Sequence, residues 1–553
     1  MITTGGNPPD PALHAEGQDN ATGAHGASGT YGVTETVVAI GTPGVRDTAL
    51  GGRMSPGRTS PGRAPGRADW VPWLIVLAAF AAYTTISLFR YFQLAPGSWD
   101  LGIFTEYVRQ LAHLHAPVVN IHGSGFNLLG DHFQPIVGLI APVFLLFPSA
   151  ATLLVVQALL TAVSIVPVSR AAAAWLGTGA GRMIGAAYGF SWGLQQMIDF
   201  DFHEIAFAVP LLACSLSALL RGKVRAAVVW ALPLVFVKED QGFTVAAIGV
   251  LIVAMSLSRA RGDGGDQAAL RWGALLTIWG LAWSFLAVAV IIPHLNLLHQ
   301  YPYWTDGGVL SPGGAHPSPS SVLAQFAHSP VPKLRTTVLI LLPVAFLALG
   351  SPLALVAVPG LALRFVSTNS AYWGAGYHYN ATVMPIVFIA AIGTLARIRA
   401  YRDRPAGEGG QPRLSSWLDP VATRAVPALM LGIAAVTAWT FPLSDLWQAQ
   451  TYQISPHVRA EGAALARVPG GTTVEATLTM LAPLAARDDT YWIGIAGNPA
   501  PRYVVFDELD SGWNPPPSDP LTFVGQRHPG FTYRQVYENN FVYVFRRVDQ
   551  ASP

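Results

Sequence analysis

Apolar residues in this chain gather in long runs rather than alternating with polar ones. Between 71 and 441 the runs lie at 71–92, 150–169, 183–199, 205–220, 225–237, 242–257, 272–292, 336–349, 352–366, 380–396 and 425–441, parted by short charged breaks. Many approach the ~20 residues that a helix needs to cross ~30 Å of hydrocarbon. The pattern predicts a membrane all-α polytopic bundle of about eleven transmembrane helices, occupying 69–441. The run at 225–237 is short for a bilayer and predicts a half-helix, or one that tilts into its neighbour. A further apolar stretch, QPIVGLIAPVFLLFP at 134–148, is predicted to lie at the outer interface or to re-enter, for a reason that the loop charges supply.

The two ends differ from this core. Residues 1–68 are rich in Gly, Pro, Ser, Thr and Ala and end in the near-repeats SPGR, SPGR and APGR. Such a segment cannot bury enough apolar area to offset its chain entropy, and it is predicted to be disordered. It also lacks the apolar core of a signal peptide. After 442 the signals change again: HVRAEGAALARV reads as an amphipathic helix, TTVEAT and RYVVFDEL as strands, and FTYRQVYENNFVYVFRRV as a strand pair joined by an Asn-Asn turn. Residues 442–548 are therefore expected to form a small extracytoplasmic α/β domain.

Charge supplies the orientation. Arg53, Arg58, Arg63 and Arg67 stand directly before the first span, a bias that places the N-terminus in the cytoplasm. From that start Arg170 and Arg182, then Arg221, Lys223 and Arg225, then Arg259, Arg261 and Arg271, and finally the arginines from Arg397 to Arg424 all fall on the cytoplasmic side. The agreement requires that 134–148 does not span. Lys333 and Arg335 fall outside, against the rule, in a long loop where the rule counts weakly.

Composition agrees with a membrane protein: 51% of residues are hydrophobic and 12% charged, against roughly 25% charged in soluble proteins. A net charge of +2 without a basic, aromatic-interleaved patch excludes nucleic acid as a partner. The single cysteine, Cys214, rules out an intrachain disulfide and reads as a small buried hydrophobe. Arginine outnumbers lysine, which occurs only at Lys223, Lys238 and Lys333, and Ala, Gly and Pro are abundant. That bias suggests a GC-rich bacterium, and hence its inner (plasma) membrane.

Ionisable side chains close to apolar segments are costly without a partner or a function. Here they gather on the predicted outer face. The loop 93–149 holds Asp100, Glu106, His113, His115, His122, Asp131 and His132; a second outer turn holds Asp199, Asp201, His203 and Glu204; a third holds Lys238, Glu239 and Asp240; Arg364 and His378 complete the set. Convergence of distant segments on one face is the pattern of a site roofed by loops. Plainer readings stand beside this one. Trp99, Tyr372 and Trp373 read as interfacial belt anchors, and His113 and His115 as a solvated face. The group Lys238, Glu239 and Asp240 fits an internal salt-bridge cluster as well as a functional site. The 199–204 cluster could bind a divalent metal ion, with Asp201 and His203 as candidate ligands.

Asp100 stands apart. It follows the first span closely, between Trp99 and an amphipathic stretch, and a carboxylate half-removed from water there has a raised pKa and makes a competent general base.

The segments WDLGIF, LGDHFQPI, DFHEIAFAVPLL, VKEDQGF, GYHYNATVMPI and VEATLTMLAPLAARDDTYWI…RYVVFDELD resemble, in order, the signature blocks of a bacterial family known as domain of unknown function 2079, over about 73–548. That family resembles the C-type (GT-C) glycosyltransferases, polytopic enzymes that use polyprenyl-phosphate-linked sugars on the outer face. The resemblance implies a GT-C-like fold, an interfacial helix before the second span, and a catalytic acid in the first outer loop, which by position is Asp100. It implies a polyprenyl-phosphate sugar donor and an inverting transfer to a cell-envelope acceptor. Asp100 would orient or deprotonate the acceptor hydroxyl, Arg364 and Lys238 would neutralise the departing phosphate, and His132, His203 and His378 would hold sugar hydroxyls or phosphate. Asp131, Asp199, Asp201, Glu204, Glu239 and Asp240 would line the same substrate site. The chain departs from the pattern in having no Asp-Asp or Asp-Glu pair in the first loop, and in a smaller outer domain than the oligosaccharide-transferring members. The acceptor, glycan or protein, is thereby left open.

Two readings of other classes compete. A transporter or flippase of a lipid-linked or sugar substrate predicts ionisable groups at mid-depth and repeated halves, whereas here no internal repeat is visible and the acids cluster at one face. A non-catalytic scaffold whose outer domain binds envelope partners leaves the carboxylates near the membrane unexplained.

Overall fold

The computed structural model describes residues 69–96, 98–263, 266–304, 319–402, 419–510 and 515–548. The segment expected to be disordered, 1–68, lies outside them.

Six helices among the described residues are long and apolar enough to cross a membrane: Val71–Phe92, Ala150–Leu176, Gln241–Ser258, Gln267–Leu295, His378–Ala400 and Val421–Thr440. Each coincides with one of the eleven expected spans. The other five expected spans are shorter or interrupted. Glu204–Leu220, Val224–Phe236 and Pro352–Val366 are shorter apolar helices. The run at 183–199 is broken at Ser191, which is extended between Thr178–Gly189 and Trp192–Phe200. The run at 336–349 is broken where Pro343, lacking an N–H, follows the helix Pro330–Leu341, and Ala345 and Phe346 then turn into the left-handed region. An extended Ser191 and a proline at 343 thus break helices that hydropathy alone reads as continuous.

The stretch at 134–148 forms the short apolar helix Pro135–Leu146. Twelve residues of helix reach only about 20 Å, short of a bilayer. One side, with Val137, Ile140 and Phe144, is buried, while Leu139, Val143, Leu145, Leu146 and Phe147 are exposed, the one-sided pattern of an element lying on a surface.

The tightest packing joins the helices Gln241–Asp263 and Gln267–Leu286. A Cβ on Gly242 would stand 2.3 Å from the carbonyl oxygen of Gly280, and one on Gly249 would stand 2.6 Å from that of Gly273. The reverse approaches, Gly280 onto Gly242 and Gly273 onto Gly249, are 2.3 and 2.9 Å. Two glycines seven residues apart on each helix therefore let the backbones touch, as small residues do where lipid-facing helices pack. Leu275, Ile278, Leu281 and Phe285 of the second helix are exposed, as expected of a surface turned to acyl chains.

After 456 the chain forms a five-stranded sheet, β1 (Thr473–Ala476), β2 (Asp489–Trp492), β3 (Tyr503–Asp507), β4 (Thr532–Asn539) and β5 (Val542–Val548), in the order β2-β1-β3-β5-β4. β1 runs parallel to β2 and β3, and β5 is antiparallel to β3 and β4. The expected hairpin forms between β4 and β5, but its two turn residues are Asn540 and Phe541, at φ 49° and 67°, while Asn539 ends the strand opposite Val542. Alternation along the strands sends side chains two ways. Val504, Phe506, Tyr533 and Phe545 pack with Ile493 and Val524 in a cluster of their own. Tyr503, Val505, Val542 and Val544 join the main core, which runs on through Leu481 and Ala482 to the first-loop residues Leu101 and Phe104. The contact is close: a Cβ on Gly102 would meet Leu481 Cβ at 3.1 Å.

Trp99 and Trp373 prove not to be belt anchors. Trp99 is wedged between the His122 ring at 5.2 Å and the Trp492 ring at 4.7 Å. Trp373 is buried, donates to the Ser367 carbonyl and receives the Lys333 ammonium 4.6 Å from its centroid. That ammonium also donates to the carbonyls of Gln325 and Phe326, so Lys333 is a buried internal clamp rather than a loop charge. His113 and His115 are exposed.

Gly280→Leu is expected to force the glycine-lined helix pair apart and lower stability by about 1–3 kcal/mol or more. Gly432→Ala, at a helical glycine with nothing within 4 Å of its added Cβ, should be neutral or mildly stabilising. Thermal unfolding of both variants in detergent checks this; equal midpoints would mean that the helix pair tolerates separation.

Candidate functional site

The site starts at the end of the first span. The DFDFHE segment grips the turn that carries Asp100: Arg90 pairs with Asp199 at 3.1 Å, and Asp201 Oδ2 accepts the Ser98 N–H at 2.9 Å. Ser98 Oγ in turn accepts the Asp100 N–H at 3.0 Å, opening the helix Asp100–Ala112. Gln157, buried within a membrane helix, holds the other side of this segment by accepting the His203 N–H at 3.0 Å and donating to the Asp201 carbonyl. Asp199 and Asp201 are thus positioning groups.

Beyond that turn lies the charged centre. Lys238 Nζ is 3.3 Å from Glu204 Oε1, and His203 Nδ1 is 2.9 Å from Glu204 Oε2. The His203 and His378 rings stack with centroids 3.4 Å apart. Glu239, adjacent to Lys238 in sequence, turns the other way. It meets His132 Nδ1 at 2.7 Å and accepts the Phe133 N–H at 3.1 Å and the Tyr301 hydroxyl at 3.0 Å. Tyr303 stacks on His132 at 4.5 Å and donates to Asp131 Oδ2 at 3.5 Å. The GDHF loop is locked by close approach: Asn296 donates to the Gly130 carbonyl at 2.9 Å, and a Cβ on Gly130 would collide with Leu295 at 2.6 Å.

The roof is the segment 372–380. Arg364 forks across it, donating to the carbonyls of Tyr372 (3.0 Å), Gly374 (3.3 Å) and Tyr379 (3.1 Å) and to Asn380 Oδ1 (3.1 Å). Its guanidinium is committed to holding this loop, which sets His378 over His203 and Tyr372 against Tyr379 at 4.7 Å. The structure therefore gathers Asp100, Asp131, His132, His203, Glu204, Lys238, Glu239, Asp240 and His378 around one centre, with Asp199, Asp201 and Arg364 acting as braces behind it.

Electrostatics follow from this geometry. Burial raises the Asp100 carboxyl, and Glu204 adds to the rise, while His203, Ser98 and Lys238 oppose it without cancelling it. Burial works against the Lys238 ammonium, but Glu204, Glu239 and Asp240 outweigh it and hold the charge firmly. Burial lifts Asp240, against the pull of Lys238. Burial also disfavours an ionised Glu239, yet His132 and Lys238 carry it below its usual value. The centre thus pairs a fixed cation with a carboxylate, Asp100, whose proton affinity is enhanced.

Sequence reasoning missed Tyr301 and Tyr303. Their only signal is the aromatic run YPYW in a loop with no periodicity. It also missed the group His457, Glu461 and Asp507. Among the described residues this is the one set of three or more such side chains whose ligand atoms lie within 4.8 Å of one another. Asp201 and His203 do not form such a group, because their side chains face Ser98 and Glu204.

Residues 90–515 match the family described as predicted membrane protein (DUF2079). The chain belongs to this family. Among curated proteins none matches it in sequence. Its fold is that of ArnT from Cupriavidus metallidurans. The structure of ArnT bound to undecaprenyl phosphate superposes with a TM-score of 0.50 at 14% identity, covering 88% of this chain and 99% of that one. The apo ArnT structure gives 0.50 at 13% identity, covering 86% and 97%. This chain thus shares the fold of a protein whose structure holds undecaprenyl phosphate.

Glu106 lies under the helix that carries Asp100, fully buried, accepting the Ile121 N–H at 3.2 Å with Arg109 at 3.7 Å. Burial is the main cause that pushes its carboxyl from 4.5 up to about 8. A raised pKa means that its contribution to stability is complete below 4.5 and is lost as pH rises through about 8. Glu106→Gln, which cannot ionise, should flatten the fall in unfolding midpoint between pH 5 and pH 9; an unchanged slope would show that another group sets it.

Proposed function

We propose that this protein is an inverting membrane glycosyltransferase that takes sugar from a polyprenyl-phosphate donor at the extracytoplasmic face of a bacterial inner membrane and passes it to a cell-envelope acceptor. The observation that carries the reading is the convergence of the Asp100 turn on the charge network of His203, Glu204 and Lys238, inside a fold shared with a protein whose structure holds undecaprenyl phosphate. In this reading the eleven apolar segments cross the bilayer from a cytoplasmic N-terminus, the helix Pro135–Leu146 lies at the outer interface, and 442–548 sits outside.

The chemistry is a single displacement. The acceptor oxygen attacks the anomeric carbon as the bond from that carbon to the phosphate oxygen breaks, and the electron pair leaves with the polyprenyl phosphate. The acceptor's proton passes to Asp100, whose raised proton affinity suits a general base. Lys238, held charged by its carboxylate neighbours, offsets the negative charge that develops on the departing phosphate. With Arg364 engaged by the roof loop, Lys238 is the cation that remains for this role. His132, His203 and His378 present imidazoles to sugar hydroxyls or phosphate, with Asp131 and Glu239 flanking His132. A donor site built from imidazole, carboxylate and one ammonium favours a neutral or amino sugar over an acidic one, because an extra carboxylate would meet Glu204 and Glu239.

Asp100→Asn should lower sugar transfer by about 10²–10⁴-fold while insertion and unfolding midpoint stay unchanged. The measurement is transfer of radiolabelled sugar from a panel of polyprenyl-phosphate donors by protein purified in lipid. Transfer that survives the substitution would remove Asp100 from the mechanism. Saturable donor binding without turnover by either form would turn the reading to a flippase or a lipid-binding scaffold.

A further inference from the structure

Away from this site, the region after 456 carries a second cluster of ionisable side chains that the transfer reaction does not use. His457 and Glu461 are four residues apart on the helix Pro456–Leu465, and so share a face. That face meets the end of β3, where His457 Nε2 stands 3.0 Å from Asp507 Oδ2. One ligand atom from each of the three residues lies within 4.8 Å of the others.

Two further observations point to a ligand. Glu461 is 2% exposed; the Thr479 hydroxyl is its side-chain neighbour, yet Oε1 makes no well-formed hydrogen bond. A carboxylate oxygen buried in this way is costly unless something positive meets it. Second, His457 Nδ1 lies 2.9 Å from the Asn540 carbonyl at the β4–β5 turn. A carbonyl only accepts, so it fixes a proton on Nδ1, and Nε2, which donates to Asp507 as the site stands, can give up its proton and turn its lone pair to an incoming cation. This is the arrangement in which a protein imidazole ligates a metal, its far nitrogen anchored to a carbonyl. Asp507 is anchored likewise: its Oδ1 accepts the Leu509 N–H at 2.9 Å, leaving Oδ2 for the cluster.

We propose that His457, Glu461 and Asp507 form a structural divalent-metal site that takes a zinc-type transition ion through one imidazole nitrogen and two carboxylate oxygens. The dimensions suit it. Ligand distances of about 2.0–2.2 Å in a tetrahedron separate neighbouring ligand atoms by about 3.4 Å, so the His457 to Asp507 gap need open by only a few tenths of an ångström. The imidazole favours a transition ion over calcium or magnesium, which prefer all-oxygen shells. Three protein ligands leave a fourth position for water. The ion would join the helix, the end of β3 and, through the His457 imidazole, the β4–β5 turn.

Full-length, tag-free protein in detergent, stripped with chelator and titrated with Zn²⁺, should bind one more ion per chain than His457→Ala or Asp507→Asn, as read by calorimetry and elemental analysis. Zn²⁺ should raise the unfolding midpoint of the native chain and leave those of the variants unmoved. Should His457→Ala fail to fold, Glu461→Gln serves, with Co²⁺ as a probe whose visible absorption reports tetrahedral ligation and should weaken or shift. Equal ion content in native and variant chains, or no ion bound by the native chain, would overturn the site and leave His457 as an imidazolium bridging Asp507 and Asn540.

Discussion

A lysine ammonium among carboxylates organises this molecule. Lys238 is removed from bulk water, and a charge so placed is tolerated only where opposite charges and hydrogen bonds surround it. Glu204 supplies the direct partner, from a segment 34 residues earlier in the chain. Glu204 is in turn held by His203, His203 by the stacked His378, and His378 by the loop that Arg364 clamps. Removing one member would leave a buried charge without its counterpart, so the four segments are coupled by electrostatics even though none is adjacent in sequence.

What fixes the lysine in place is a matter of backbone distance. The glycines of the 241–286 hairpin let two helices approach until a Cβ would not fit. That approach brings Ser284 Oγ to 2.6 Å from the Glu239 carbonyl, where it donates. The turn bearing Lys238, Glu239 and Asp240 is therefore pinned by packing inside the membrane rather than by contacts within the site. On the opposite wall Gln157 and Asp201 do the same for the Asp100 turn. Asp100 opens one helix and Lys238 lies in the turn just before another, and both turns are held through backbone atoms, an arrangement that preserves geometry while a substrate comes and goes.

Much of this was legible in the chain because membrane helices write themselves as apolar runs. All six long helices fall on expected spans, and the clusters at Asp100, His132, His203, Lys238 and His378 do meet. The errors share one cause, which is that pairing across a bundle leaves no periodic trace. From sequence, Lys238, Glu239 and Asp240 fit a salt-bridge cluster as well as a functional site, because nothing there shows that Lys238 and Glu239 turn apart to pair with Glu204 and His132. Arg364 read as a free cation because its acceptors are carbonyls, which every residue has. Trp99 read as a lipid anchor because its partners, His122 and Trp492, lie 23 and 393 residues away. The breaks at Ser191 and Pro343 were missed for the opposite reason: hydropathy counts proline and serine by polarity, whereas their effect here is on backbone geometry.

The sheet after 456 shows how far the first loop and the C-terminal region depend on each other. Arg109, on the helix that begins at Asp100, reaches Asp489 at the start of β2 at 3.1 Å, and Trp99 packs edge-on to Trp492 at the end of the same strand. Between these two contacts Gly102 admits Leu481 to van der Waals distance. The Asp100 helix is therefore gripped from one side by membrane-embedded Gln157 through Asp201, and from the other by the sheet. A carboxylate with enhanced proton affinity needs such a frame, since a mobile helix would carry it into water and return its pKa to the ordinary range. Through Arg109, Gly102 and Trp99 the sheet is thus also a support for the helix that begins at Asp100.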